Sequence, residues 1–190
     1  MVTLAWSVTA QKIEVMQGSL KTLLDQKAIL VEFTYDNMTI GKKGETEVAY
    51  VTEKKQSLNE KEAGKGDTWA KAWIDDRKNH FEPQFIELFS KHAGIVANSE
   101  ANAYTLVFKT TRTEPGWNVG VMRVSAYIDA EVWIVETANR NNIVAKLSVK
   151  NSPGRDGMGY DFDTGYRIQE AYAKAGKEIG QLIDKQRKKK

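Results

Sequence analysis

The sequence predicts an α+β fold: a two-layer sandwich in which an antiparallel sheet of about four to five strands carries helices mainly on one face, in the order β-α-α-β-β-β-α. Three observations lead there. Successive segments of the second half alternate apolar and polar residues, the pattern of strands buried on one face only. Residues 67–92 and 164–185 instead place apolar side chains at three- and four-residue spacing, as helices do. The 190 residues contain no linker-like stretch and no repeat, so residues 11–185 read as a single domain.

The elements follow in chain order. Residues 12–16 form a short edge strand, and Gly18-Ser19 opens a turn, or one turn of helix, through Leu24. Residues 28–35 are the first strong strand, with Ile29, Val31, Phe33 and Tyr35 on one side and Leu30, Glu32 and Thr34 on the other. Asp36-Asn37 and Gly41-Lys42-Lys43-Gly44 mark the loop after it. Residues 45–62 read as a charged helix whose thin apolar stripe is Val48, Val51 and Leu58, stopped by Gly64-Lys65-Gly66. Asp67 or Thr68 caps the next helix. Its stripe runs Trp69, Trp73, Arg77, Phe81, Phe85, Leu88 and Phe89. Arg77 interrupts that stripe and must reach a carboxylate from an apolar surface. Pro83 lacks an N–H and clashes with the preceding turn, so a kink or restart is expected near Glu82.

In the second half, residues 104–112 alternate, and Glu114-Pro115-Gly116-Trp117-Asn118 is a turn by composition. Residues 121–137 read as one long strand with Met122, Val124, Ala126, Ile128, Ala130, Val132 and Ile134 on a common face. Asn139-Arg140-Asn141-Asn142 is the hairpin turn, and residues 143–149 return with Ile143, Ala145, Leu147 and Val149 inward. After a glycine-rich loop, Asp163 or Thr164 caps the last helix, whose inner face is Ile168, Ala171, Tyr172, Ala175, Ile179, Leu182 and Ile183. Ala175, Gly176 and Gly180 are small enough to let this helix approach the sheet closely.

Composition sets the compartment and the excluded chemistries. Met1 to Ala10 is almost wholly apolar or small, ends in Val8-Thr9-Ala10, and gives way abruptly to Gln11-Lys12. That is the pattern of the end of an export signal, read as the remnant of a signal peptide over residues 1–10 and placing the protein in the periplasm or outside the cell. The alternative is a buried first strand through Leu4, Trp6 and Val8. No stretch of residues is apolar for long enough to make a transmembrane helix. There is no cysteine, which excludes disulfides, thiolate catalysis and a lipid-modified cysteine. The net charge of +3 includes five cations at the end, Lys185, Arg187, Lys188, Lys189 and Lys190; +3 less five leaves a body at −2. Residues 186–190 are therefore expected to be a solvated, disordered basic tail, and no specific nucleic-acid partner is expected.

The candidate sites are few. His80 and His92 are the only histidines, and their spacing supports no metal set. No G-x-S-x-G elbow exists. The acids of Arg155-Asp156-Gly157-Met158-Gly159-Tyr160-Asp161-Phe162-Asp163 fail the calcium-loop spacing and suit a capping role. Gly64-Lys65-Gly66 lacks the upstream glycine and strand of a phosphate loop. Trp69 and Trp73 read as core. Four residues remain as ligand-binding candidates: Trp117 in its turn, and Arg123, Tyr127 and Trp133 on the less apolar side of the long strand. No catalytic residue, metal or cofactor is expected, although Asp156, Asp161 or Glu114 would be the carboxylates of an enzyme whose groups converge only in three dimensions.

The order of segments 28–35, 68–92, 104–112, 121–149 and 164–185 resembles that of the periplasmic domains of the CsgG and TolB N-terminal type. The segment Val31-Glu32-Phe33-x-Tyr35-x-Asn37-Met38 with the later Trp69-x3-Trp73 pair also resembles a family of uncharacterised exported bacterial proteins. What the resemblance implies is a non-catalytic role in the cell envelope. The departures are the missing lipobox cysteine, the additional helix at 45–62 and the lack of identifiable pore-forming hairpins. The functional expectation is an exported interaction or assembly domain, with an envelope protein or a second copy as partner. The alternative is a small-ligand-binding module using the polar face of the sheet, which would require a concave, partly apolar pocket there.

Overall fold

The fold is known from a computed structural model that describes residues 11–98, 100, 102–119, 122–154 and 164–189. The leader-like segment and the acidic loop 155–163 lie outside the described residues. The chain is α+β. The described residues form ten strands: β1 (Lys12–Gly18), β2 (Ala28–Thr34), β3 (Thr39–Ile40), β4 (Glu45–Thr46), β5 (Val96–Asn98), β6 (Tyr104–Glu114), β7 (Trp117–Val119), β8 (Met122–Val124), β9 (Tyr127–Glu136) and β10 (Asn139–Pro153). The helices are α1 (Glu47–Lys61), α2 (Lys65–Asp76), α3 (Glu82–Ala93) and α4 (Thr164–Arg187), with a 3-10 turn at Leu20–Leu23.

Eight strands make one sheet in the order β1-β10-β9-β6-β2-β5, with β3 and β4 attached beside β6. The expectation of an antiparallel sheet of about four to five strands is corrected: the sheet is larger and mixed. β1, β10, β9 and β6 alternate in direction, whereas β2 lies parallel to both β5 and β6. The reason is the connection. The three helices α1 to α3 intervene between β2 and its partners, and a crossover of that kind returns the chain in the same direction. Alternation along a strand reports which face is buried and is silent about direction.

The long strand expected over 121–137 is broken. Among the described residues β7 and β8 pair only with each other, as a two-stranded ribbon, and the sheet strand β9 begins after Ser125-Ala126. The hairpin between β9 and β10 turns at Thr137-Ala138, and residues 139–142 belong to β10, whose register shifts before Ile143.

One face of the sheet carries the core. Leu106, Phe108, Ile128, Ala130, Val132, Ile134, Leu147 and Val149 are essentially inaccessible and meet the inner stripes of α3 and α4. Phe85 stands at its centre, 4.7 Å from the ring of Phe108 and 5.4 Å edge-on to Phe33. The small residues of α4 do allow close approach, but to α3 and not to the sheet. A Cβ on Gly176 would lie 2.5 Å from the carbonyl oxygen of Phe85, and one on Gly180 would lie 2.8 Å from the amide of Ala93.

The helical segment resolves as the sequence predicts, with two changes. Arg77–Phe81 is a single π-helical turn between α2 and α3, placed where Pro83 removes a ladder hydrogen bond. Arg77 reaches Glu47 of α1, which also accepts the indole N–H of Trp73 at 2.6 Å. The start of α2 differs: Gly64, at φ 81°, is the N-cap, and the Asn59 side chain accepts the N–H of Gly66 at 2.7 Å. The C-terminus differs too. α4 runs through Arg187, so Gln186 and Arg187, expected in a disordered tail, are helical. Arg187 donates to the carbonyls of Leu24 at 3.2 Å and Ala93 at 2.8 Å, tying the last turn to two other segments.

Candidate functional site

The four residues singled out in the sequence do not converge. Trp117 and Arg123 sit on the β7–β8 ribbon, where Arg123 is opposite Asn118, away from the sheet face expected for it. The cause is the break at Ser125-Ala126: the alternation runs on through it, but the strand does not, so Arg123 leaves the sheet with the ribbon. Tyr127 and Trp133 are both on β9, six residues and so about 20 Å apart.

Trp117 borders a cleft of about 420 Å³ formed where the Gly41-Lys42-Lys43 loop, helix α1 and the 115–117 turn meet. Trp117 is 43% exposed. Ile40, Tyr50, Pro115 and Val124 supply apolar walls, while Lys42, Lys43 and Lys54 stand along it. Glu114, at the end of β6, is 6% exposed and lines the same space. Its carboxylate accepts the N–H of Gly116 at 3.2 Å, closing the turn that presents Trp117. Burial pushes the Glu114 carboxyl above the usual range, opposed by that N–H and by the Lys42 and Arg112 cations. Tyr50 is pushed up to about 12, chiefly by burial and then by the nearby Glu114. The sequence marked Trp117 and Glu114 separately. Nothing in it joins them to Tyr50 and Lys54, which belong to a different element.

The sheet face opposite the helices is the second feature. Among the described residues no helix covers it, and it holds ordered polar pairs. Lys146 lies over the Trp133 ring at 4.7 Å, and Arg112 over the Tyr127 ring at 4.9 Å. Asp129, 5% exposed, is held by Arg112 at 2.9 Å, by Lys150 at 3.7 Å and by the N–H of Asn151 at 2.7 Å. Arg140 makes a two-pronged pair with Glu32 at 2.8 and 2.9 Å. Both aromatic rings are thus already occupied by a cation of the same chain. A broad, charge-patterned surface results, with alternating Lys109, Glu131, Lys146 and Lys150.

Trp69 and Trp73 pack on Tyr50 at 5.9 and 5.4 Å, joining α1 to α2. Trp73 is 6% exposed and behaves as core; Trp69 is half-buried. His80 pairs with Asp76 at 2.9 Å beneath Tyr166. Among the described residues no three side chains of histidine, aspartate or glutamate are grouped to hold a metal ion. No described helix is long and apolar enough to cross a membrane.

No family model matches the chain, and no curated protein matches it. Among solved structures, it is similar to the PelC dodecamer from Paraburkholderia phytofirmans, with a TM-score of 0.42 and 10% identity over 92% of this chain and 97% of that one. A variant of the same protein in another crystal form gives a TM-score of 0.42 and 8% identity over the same shares.

Proposed function

We propose that the protein is an exported, non-catalytic interaction or assembly domain of the cell envelope. The observation that carries this reading is the sheet face that no described helix covers. Its aromatic rings are capped by the chain's own cations, and its charges alternate over three long strands, which suits a broad protein surface better than a small molecule. The leader-like residues 1–10 and the CsgG- and TolB-like order of elements support the location. Fractionation of native cells, with mass spectrometry of the protein's N-terminus, tests it. Cleavage after Ala10 and recovery with the envelope or outside it is expected, together with lysine cross-links from Lys109, Lys146 or Lys150 to another polypeptide. Intact Met1 in the cytosol would overturn it.

The second reading is a small-ligand module. It is favoured by the Trp117 cleft, with its apolar walls, three lysines and buried Glu114, although that cleft lies beside the polar face and not upon it. Saturable quenching of tryptophan fluorescence by a ligand, lost in Trp117→Phe, is its test.

A further inference from the structure

Strand β1 is the end strand of the sheet: β10 pairs with it on one side, and no described strand lies on the other. The opposite edge, β5, has three residues, against seven in β1. An unpaired edge of that length offers a row of backbone donors and acceptors to another strand. Its side chains are also short of cover. Val15 is 38% and Met16 65% exposed. Beside it, Gln11, Ile13, Glu178, Leu182 and Lys185 line a groove of about 290 Å³ between the strand and α4. At that groove the Gln11 amide nitrogen is buried, and no acceptor reaches it among the described residues.

We propose that β1 pairs antiparallel with β1 of a second copy of this chain, about a two-fold axis through Ile13. The inference rests on the assembly reading above and names its partner and surface. The choice of a second copy comes from the charges. Lys12 and Glu14 point to the open face of the sheet, where they already form a 2.7 Å ion pair. An antiparallel pair centred on Ile13 sets Lys12 opposite the partner's Glu14, and Glu14 opposite the partner's Lys12. Opposite charges directly across a ladder stabilise it, and like charges destabilise it. On the other face the partner's Ile13 lies beside Ile13, over the groove that Leu182 lines, and the partner's Val15 lies beside Gln11. The bulge between Val15 and Gln17 ends the regular pairing with β10 and so bounds the straight stretch. A closed two-fold contact of this kind consumes both edges and does not propagate into a fibre.

The test is sedimentation of the full chain over a concentration series at low salt, with thermal melting to show that each variant folds. Wild type is expected to dimerise reversibly. Lys12→Glu and Glu14→Lys should each weaken the dimer at least about tenfold, since each sets like charges across the ladder twice. Combining the two exchanges in one chain should restore it. Mixing the two single variants should also restore it, because their strands complement one another. A wild-type chain that stays monomeric, or a dimer indifferent to these exchanges, overturns the proposal. The two readings separate cleanly. A monomeric chain whose open face still cross-links to an envelope polypeptide leaves the assembly role standing without this edge. A charge-sensitive dimer recovered from the cytosol with Met1 intact leaves the edge standing without the envelope role.

Discussion

Replacing Gly176 by alanine sets two opposed effects against each other. In an exposed helix the change gains about 1 kcal/mol, because glycine is the poorer helix former by that amount. Here the new Cβ would stand 2.5 Å from the Phe85 carbonyl oxygen and 3.2 Å from two further backbone atoms, where ordinary contact begins near 3.4 Å. The obstacle is backbone of α3, so no side chain can swing aside. The two helices must separate by about 0.9 Å, and a gap of that order forfeits a quarter to a half of the attraction of each contact it opens. Overpacking of this kind costs about 1–3 kcal/mol, and rigid backbone on both sides puts this site at the upper end. The net expectation is a loss of about 2 kcal/mol, or about 4–8 °C in melting temperature for a chain of this length. Gly180→Ala meets the amide of Ala93 at 2.8 Å and should behave alike. The double variant should lose less than the sum, since helices already pushed apart have room for the second methyl. Urea unfolding of the three variants measures this. Stabilisation of about 1 kcal/mol in either single variant would refute the reasoning, because propensity alone would then have decided the outcome.

Other perturbations follow from single contacts. Arg187→Ala leaves the carbonyls of Leu24 and Ala93 without their donor and should cost about 1–3 kcal/mol in chemical unfolding, whereas removing residues 188–190 should cost almost nothing. Glu47→Gln weakens the pairing with Arg77; hydrogen exchange should then accelerate across α1, which has no buried residue of its own, more than in α3 or α4. Glu114 has a folded pKa raised by burial, so its charged form opposes folding. That penalty is absent at low pH, grows as pH rises from the unfolded value through the folded one, and is complete above it. Glu114→Gln should therefore gain stability relative to wild type as pH rises through that window, and a difference constant with pH would contradict the assignment.

How far the sequence could be read depends on the range of the interaction involved. Phe85, Val132 and Tyr172 fell on predicted inner faces because each face is set by residues two to four positions away. The kink before Pro83 and the carboxylate partner for Arg77 were legible too, since a missing N–H and a cation on an apolar stripe each impose a local demand. The parallel pairing of β2 with β6 was not, because direction depends on a crossover through three helices. Arg123 was misplaced because the ribbon continues the alternation of β9 while leaving the sheet. The Trp117 cleft depends on Tyr50 and Lys54 meeting Glu114 from another part of the chain, and no spacing encodes that.

The mixed sheet also dictates when the protein can be finished. Lys12 waits for Lys150, and Leu30 for Thr105, before either strand has its antiparallel or central neighbour. As the chain is synthesised, residues 11–98 hold only helices, the two-residue β3–β4 ladder and the short β2–β5 pairing. The local hairpins of β6, β9 and β10 arise only afterwards, and the helix that roofs the core comes last, closed by Arg187. Distant pairings demand the largest loop closures and form slowly. The N-terminal half therefore lacks the sheet partners of β1 and the central neighbour of β2 until the C-terminal half has been made.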